Sequence, residues 1–383
     1  MFEKRFKDRL LIQRKTGLYR SPVSIERREG KYLVINGRRV VNFSSNDYLG
    51  LGASETLRKK VAKNFAAYGS SSSSSRLVSG NYSLITEAEK KYAGYFGYES
   101  ALFFPSGFQA NVGLLSTLFE KGDTLIFDKH IHASSVKGMT LSGATFLGYN
   151  HNSMSHLEKR LKSNTGKQAA VVTESLFSMD GDFLDREGLK ALKKKYGFAC
   201  IVDEAHALGV VDSGERHGGD GIARNVADIA IGTFGKALGL FGAFILLSET
   251  IKDYLMNFCS ALIYSTTLPA AHASSAMDVL DLIAESDDKR MHLHQISHTM
   301  KEALRREGAE VKGDAHILAI EIGDENKAVY IANAMCDNGV FVFPARYPTV
   351  PAGKAILRIG MTALHEEADV TAFIAAFKKA RDE

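Results

Sequence analysis

Ile201-Val202-Asp203-Glu204-Ala205-His206 is a short apolar run that ends in an acid, with an imidazole three positions after the acid. A run of this length, rich in β-branched residues, reads as a buried strand. It belongs to a series: residues 101–104, 124–127, 169–173, 199–202, 229–231 and 243–247 are apolar runs of the same kind, separated by helix-like intervals. In 186–196, Leu189, Leu192 and Tyr196 recur at helical spacing among lysines, and Gly197 offers a stop. Strands alternating with helices predict an α/β domain with a largely parallel sheet, since parallel neighbours need crossover helices and are covered on both faces.

Outward from that region, residues 1–44 read as an N-terminal arm with a short hairpin around Asn36-Gly37, a common turn dipeptide. Residues 45–287 form the expected large domain. Residues 288–383 form a smaller C-terminal α/β domain, with a charged helix at 289–307, a strand at 317–322, a helix at 327–337, strands near Val340 and Ile356, and a final helix. The serine run from Ser70 to Ser75 is the one low-complexity tract, read either as a flexible polar loop or as an ordered loop beside a site.

The bulk numbers narrow the function classes. A chain of 383 residues, 45% hydrophobic and 24% charged, has the composition of a soluble globular protein. The net charge of +4 is modest and its bases are interspersed with acids, which argues against nucleic acid as a partner. Cys200, Cys259 and Cys336 are odd in number and far apart, as expected of free thiols in a reducing, cytoplasmic compartment. No window approaches the ~18 consecutive apolar residues of a spanning helix, and the charged start lacks a signal peptide's apolar core. Membrane insertion is not expected.

Chemistry is expected where strands end, because open α/β sheets bind their ligands there. An acid in the position of Asp203 can pair with a pyridine nitrogen and keep it protonated; the plainer reading is an acid that caps a loop, with His206 merely packed. Thr233-Phe234-Gly235-Lys236-Ala237-Leu238-Gly239 places a lysine in a glycine-bracketed turn after a buried strand. A desolvated lysine is a nucleophilic amine near neutral pH and forms imines with aldehydes, whereas a turn lysine at the surface does neither. A phosphate-cradling P-loop would need Gly at Ala230 and Ser or Thr at Ala237, and has neither.

Three further strand exits carry polar groups. Pro105-Ser106-Gly107-Phe108-Gln109-Ala110-Asn111 opens a helix whose N–H groups could bind phosphate, or whose Ser106 simply caps it. Asp128-Lys129-His130-Ile131-His132-Ala133-Ser134 delivers two histidines, one of which could stack on a flat ring. Metal binding by the pair is the rival, but no third ligand with convincing spacing follows. Glu174-Ser175-Leu176-Phe177-Ser178-Met179-Asp180-Gly181-Asp182 supplies hydroxyls and acids.

Taken together, Asp203-Glu204-Ala205-His206, Thr233-Phe234-Gly235-Lys236 and Phe177-Ser178-Met179-Asp180-Gly181 resemble the α-oxoamine synthases, with similarity running from Gly17-Leu18-Tyr19-Arg20 to Leu357-Arg358-Ile359. The resemblance implies the aspartate-aminotransferase-like fold, type I of the transferases dependent on pyridoxal 5'-phosphate (PLP), and a reaction joining an amino acid to an acyl thioester. It makes Lys236 the imine-forming lysine, Asp203 the partner of the pyridine nitrogen, His206 a donor to the ring's phenolic oxygen, and His132 the stacking group. Ser178 would lie beside the cofactor. Ser106, Gly107, Phe108 and Thr233 would hold its phosphate, joined by Thr266 from the other subunit of a homodimer with shared sites. Arg358 would anchor the amino acid's carboxylate, with Asn46 and Arg20 as further substrate contacts.

Residues 42–51 and 262–269 look most like the member that uses L-alanine and a pimeloyl thioester, carried on coenzyme A or an acyl carrier protein. Members that pair glycine or serine with other acyl-CoAs are the alternatives. A non-catalytic subunit that only stabilises a partner is opposed by the retention of Lys236, Asp203 and His206 together. The loop 69–76 is richer in serine than the family pattern, and Leu240-Phe241 stands where small residues are common.

Overall fold

The structure is a computed structural model that describes residues 2–164, 168–212 and 218–382. It divides into two compact units. One comprises Ser54–Phe177 and Phe183–Asp287; the other comprises Met1–Ala53, Ser178–Asp182 and Asp288–Glu383.

In the first unit the apolar runs form a sheet in the order Ser100–Phe104, Ala243–Leu247, Ile229–Thr233, Ala199–Asp203, Ala169–Glu174, Thr124–Asp128, Thr145–Tyr149. Alternate residues of one strand serve two cores. Ile201 joins Leu102, Val172 and Ile231 under the helices that carry Leu114, Met139 and Leu255, while Cys200 and Val202 join Leu157, Leu189 and Val226 on the opposite face. With both faces covered, every position prefers an apolar side chain, and each fully buried Leu or Ile contributes roughly 1.5–3 kcal/mol.

Ala243–Leu247 is antiparallel to both its neighbours, and the other strands that pair run parallel. The reason is the short connection, residues 234–242, which leaves no room for the dozen or so residues of a crossover. The chain turns back as a hairpin instead, with Phe234 N donating to Gly242 O at 3.0 Å. Thr145–Tyr149, not expected from the sequence, is the edge strand beyond Thr124–Asp128. Four of its five residues keep exposure, so it lacks the continuous apolar run that marks its neighbours.

In the second unit, Tyr32–Ile35 and Arg38–Asn42 form the expected hairpin, with Asn36 at φ 50° and Gly37 at φ 71°. Positive φ at both turn positions matches the twist of the strands. Arg38–Asn42 also pairs in parallel with Val340–Phe341, so the N-terminal hairpin is built into the same unit as the C-terminal residues. A separate antiparallel sheet runs Val311–Lys312, Ile317–Gly323, Ala355–Gly360, Phe343–Ala345. The segment Ser178–Asp182 is locked to it at Gly181, where φ is 70° and a Cβ would lie 2.1 Å from the Ile317 carbonyl oxygen. Only glycine permits that approach.

Candidate active site

The parallel strands end in register on one edge of the large sheet. Glu174 pairs with Asp203, and Asp203 pairs with Ile231, two residues before Thr233. Asp128 closes the next strand, and Ser106 follows the strand Ser100–Phe104. Ser106, His132, Asp203, His206, Thr233 and Lys236 therefore follow strand exits of a single sheet within one unit, and the sequence reads each of them as lying at a strand end.

Asp203 is half-buried, and its carboxylate accepts from Ala205 N at 3.0 Å and from the Asn111 side-chain amide at 2.9 Å. Asn111 also donates to Ser134 Oγ at 3.0 Å, and that hydroxyl lies 2.7 Å from His132 Nδ1. Glu174, almost fully buried, accepts the His132 backbone N–H at 2.6 Å. His132 keeps exposed surface, yet the partial burial of its ring pushes its pKa below the usual histidine value; the nearby Lys236 cation pushes the same way and Asp203 opposes. His132, Asp203 and Lys236 thus form one electrostatic group. His206 is buried on the turn after the Asp203 strand.

Lys236 is half-buried in the hairpin turn. Thr233 shapes that turn, its hydroxyl donating to Gly242 O at 3.0 Å and accepting from Gly235 N at 3.1 Å. Ser106 caps helix Gly107–Leu118, accepting from Gln109 N at 3.2 Å. Its hydroxyl serves the helix, and the donors left for an anion are the first-turn N–H groups of Gly107 and Phe108. Nothing lies within 4 Å of the position a Cβ on Gly107 would take, so that approach is open. An open helix terminus for a phosphate, an acid for a ring nitrogen, a histidine face and a primary amine match the groups of PLP.

The two histidines of the His-x-His pair go separate ways. His130 stacks on His151 with ring centroids 4.0 Å apart, and His151 Nδ1 lies 3.0 Å from Asp128 Oδ1, while His132 is engaged with Ser134.

In the second unit, Arg358 is buried on strand Ala355–Gly360. Its Nε donates to Ser178 O at 2.6 Å and one terminal nitrogen donates to Asn46 Oδ1 at 3.3 Å. The Tyr48 hydroxyl lies 3.5 Å from that nitrogen and itself donates to Asn46 at 3.1 Å. Burial raises the Tyr48 pKa against the pull of Arg358, so the phenol stays neutral. Asn46, Ser178 and Arg358 are thus brought together, with Asn46 orienting the guanidinium. Arg20 is exposed and donates to Thr349 Oγ1 at 3.4 Å, beside Arg346, whose pKa is lowered by burial and by the Arg20 charge.

The serine run is an ordered loop. Ser72 is buried and donates to Thr267 O at 2.7 Å, while Thr267 N donates to Ser74 O at 3.0 Å. Exposed Thr266 is held next to this contact. Arg76, directly after the loop, is buried against Glu89, which also accepts from Phe103 N at 2.9 Å and lies 3.3 Å from Lys252. Replacing Arg76 by alanine strands part of that buried charge; a loss of about 3–5 kcal/mol is expected in urea unfolding followed by circular dichroism.

Asn111, Ser134, Glu174 and Tyr48 carry no assigned role in the sequence reading. Asn111 and Glu174 were detectable as polar residues inside otherwise apolar elements. Ser134 and Tyr48 gave no such signal.

The chain belongs to the aminotransferase class I and II family, whose model matches residues 38–377. Its fold is the type I fold of PLP-dependent transferases. Within that family it is 39% identical to the 8-amino-7-oxononanoate synthase of Chlorobaculum parvum, over 90% of each chain. Among solved structures it resembles a serine palmitoyltransferase from S. paucimobilis with PLP and myriocin bound, at TM-score 0.92 and 25% identity over 100% of this chain and 98% of that one. It also resembles the 8-amino-7-oxononanoate synthase of Francisella tularensis, at TM-score 0.75 and 28% identity over 90% of this chain and 98% of that one. Among the described residues, no helix is long and apolar enough to cross a membrane.

Proposed function

We propose that this enzyme joins L-alanine to a pimeloyl thioester, giving 8-amino-7-oxononanoate, CO2 and the free thiol, with PLP as cofactor on Lys236. A carbon–carbon bond forms between the alanine Cα and the acyl carbon, the carbon–sulfur bond breaks, and the alanine carboxylate leaves as CO2. The observation that carries this reading is the grouping of Lys236, Asp203 and His132 at one sheet edge, in a chain whose relatives bear that name.

When bound, PLP supplies a ring that takes up the electron pair left at Cα. Asp203 would keep the ring nitrogen cationic, and His206 would donate to the ring's phenolic oxygen. Lys236 takes the proton from Cα and later returns one, a role suited to a half-buried primary amine at the site. His132 covers one face of the ring, and Ser178 lies beside it. The N–H groups of Gly107 and Phe108 hold the phosphate, Ser106 keeps their helix capped, Thr233 gives its hydroxyl to the phosphate when it releases Gly242, and Thr266 of the partner subunit completes the cradle. Arg358, oriented by Asn46, takes the alanine carboxylate, and Arg20 is a further substrate contact.

Purified enzyme incubated with L-alanine and pimeloyl-CoA, or with the pimeloyl acyl carrier protein, should release 8-amino-7-oxononanoate, detected by mass. Parallel arms hold glycine with acetyl-CoA and serine with a long acyl-CoA. Product only in a parallel arm refutes the assignment, and the ratio of rates with the two pimeloyl carriers identifies the donor. Arg358→Ala should raise the KM for alanine by about 10- to 100-fold, the cost of about 1.5–3 kcal/mol for a charged hydrogen bond. An unchanged KM would remove Arg358 from the substrate site. Sedimentation should find a homodimer.

A further inference from the structure

Asn111 and Ser134 have no part in the chemistry above, yet both side chains are buried in the first two turns of their helices, against Asp203 and His132. The Asn111 amide nitrogen donates one hydrogen to Asp203 Oδ2 and the other to Ser134 Oγ. An ionised carboxylate only accepts, so the charge of Asp203 dictates which end of the Asn111 amide faces it. Ser134 Oγ, receiving a hydrogen from Asn111, lies 2.7 Å from His132 Nδ1. The Ser134 backbone N–H points at the same nitrogen from 3.3 Å. A backbone N–H can only donate, so Nδ1 accepts from it with a lone pair, which leaves the hydroxyl to donate to the same nitrogen.

We propose that Asn111 and Ser134 are positioning residues that relay the ionised state of Asp203 to His132, holding its imidazole neutral with the proton on Nε2. The relay deepens the functional reading and rests on it for its place in catalysis. Each link has one direction: carboxylate from amide, amide to hydroxyl, hydroxyl to imidazole. Protonating Nδ1 would set a hydrogen against the Ser134 backbone N–H and force the hydroxyl to turn its own hydrogen away, so the cationic ring is disfavoured. The charged groups facing His132 come from three strand exits: Asp203, which favours the cation; Lys236, which opposes it; and Glu174, which is occupied by the His132 backbone N–H. The depressed His132 pKa agrees in direction with the relay. The consequence is that His132 offers a hydrogen from Nε2, so this edge of the ring favours an acceptor such as a carbonyl or carboxylate oxygen.

Histidine-selective 15N labelling of the full chain, with and without PLP, distinguishes the two tautomers by the shifts of the ring nitrogens; the His132 signal is the one lost in His132→Asn. The wild type should show Nε2 protonated and Nδ1 bare. Ser134→Ala removes one donor to the neutral form and should raise the His132 pKa by about 0.5–1 pH unit, with the acidic limb of kcat/KM moving up by the same amount. Asn111→Ala frees the Ser134 hydroxyl to turn and should move both in the same direction by less. A wild-type ring protonated on Nδ1 overturns the relay, as does a His132 titration unmoved in both variants. A chain with the expected tautomer but no product from alanine and pimeloyl thioester sinks the functional reading and leaves the relay standing.

Discussion

Lys236→Ala should lower turnover by at least about 10³-fold while the chain stays folded, because on the proposed mechanism it removes both the amine that would hold the cofactor and the group that would move the Cα proton. Positioned proton transfer alone is worth about 10²–10⁴-fold. The hairpin that carries Lys236 does not depend on the side chain. Its backbone bonds run Phe234 N to Gly242 O, Leu240 N to Phe234 O and Gly239 N to Lys236 O, and its apolar anchors are buried Phe234, Ala237 and Leu238. Turnover, the visible band after PLP is added, and the unfolding midpoint should therefore separate cleanly: the first two lost, the third within about 0.5 kcal/mol of wild type. Wild-type turnover in this variant would refute the assignment of Lys236.

Asp203→Asn should be the next most damaging change. A carboxylate beside a base shifts its pKa by about 1–3 units, so its loss should lower the fraction of ring nitrogen kept cationic, and with it kcat, by about 10- to 1,000-fold. The amide can still accept from Ala205 N, so the strand end should hold. The bond from Asn111 is the one disturbed, since one amide then faces another. If kcat is unchanged, Asp203 is a loop cap, the plainer reading of its strand end.

Much of the large unit was legible because its central strands are buried on both faces. Such strands must be apolar throughout, which is why 199–202 and 243–247 stand out in the sequence. Thr145–Tyr149 did not stand out, since an edge strand with exposed residues carries no such mark. The reversed direction of Ala243–Leu247 lies in the length of one connection, a cue that apolar pattern alone does not convey. The candidate residues at the strand exits were also legible, each as a polar group at the end of an apolar run.

The relay could not be read in the same way. His132 and Ser134 stand two residues apart, but Asn111 comes from 23 residues before Ser134 and 92 before Asp203, and the three segments meet only because their strands end at one edge of the sheet. The serine run is similar: its order comes from the carbonyl and amide of Thr267, nearly two hundred residues on.

The amino-acid sequence by itself determined the buried central strands of the large sheet, that this sheet is mainly parallel, and which residue types stand at its exits, because those follow from burial periodicity and local turn chemistry. Only the tertiary structure decided that the N-terminal hairpin joins the C-terminal unit through Val340–Phe341, that Asn46 and Tyr48 surround Arg358, and that a chain of hydrogen-bond contacts links Asp203 to His132 through Asn111 and Ser134. Hydrogen bonds act over about 3 Å in space regardless of separation along the chain, so their partners are settled only when the elements have packed.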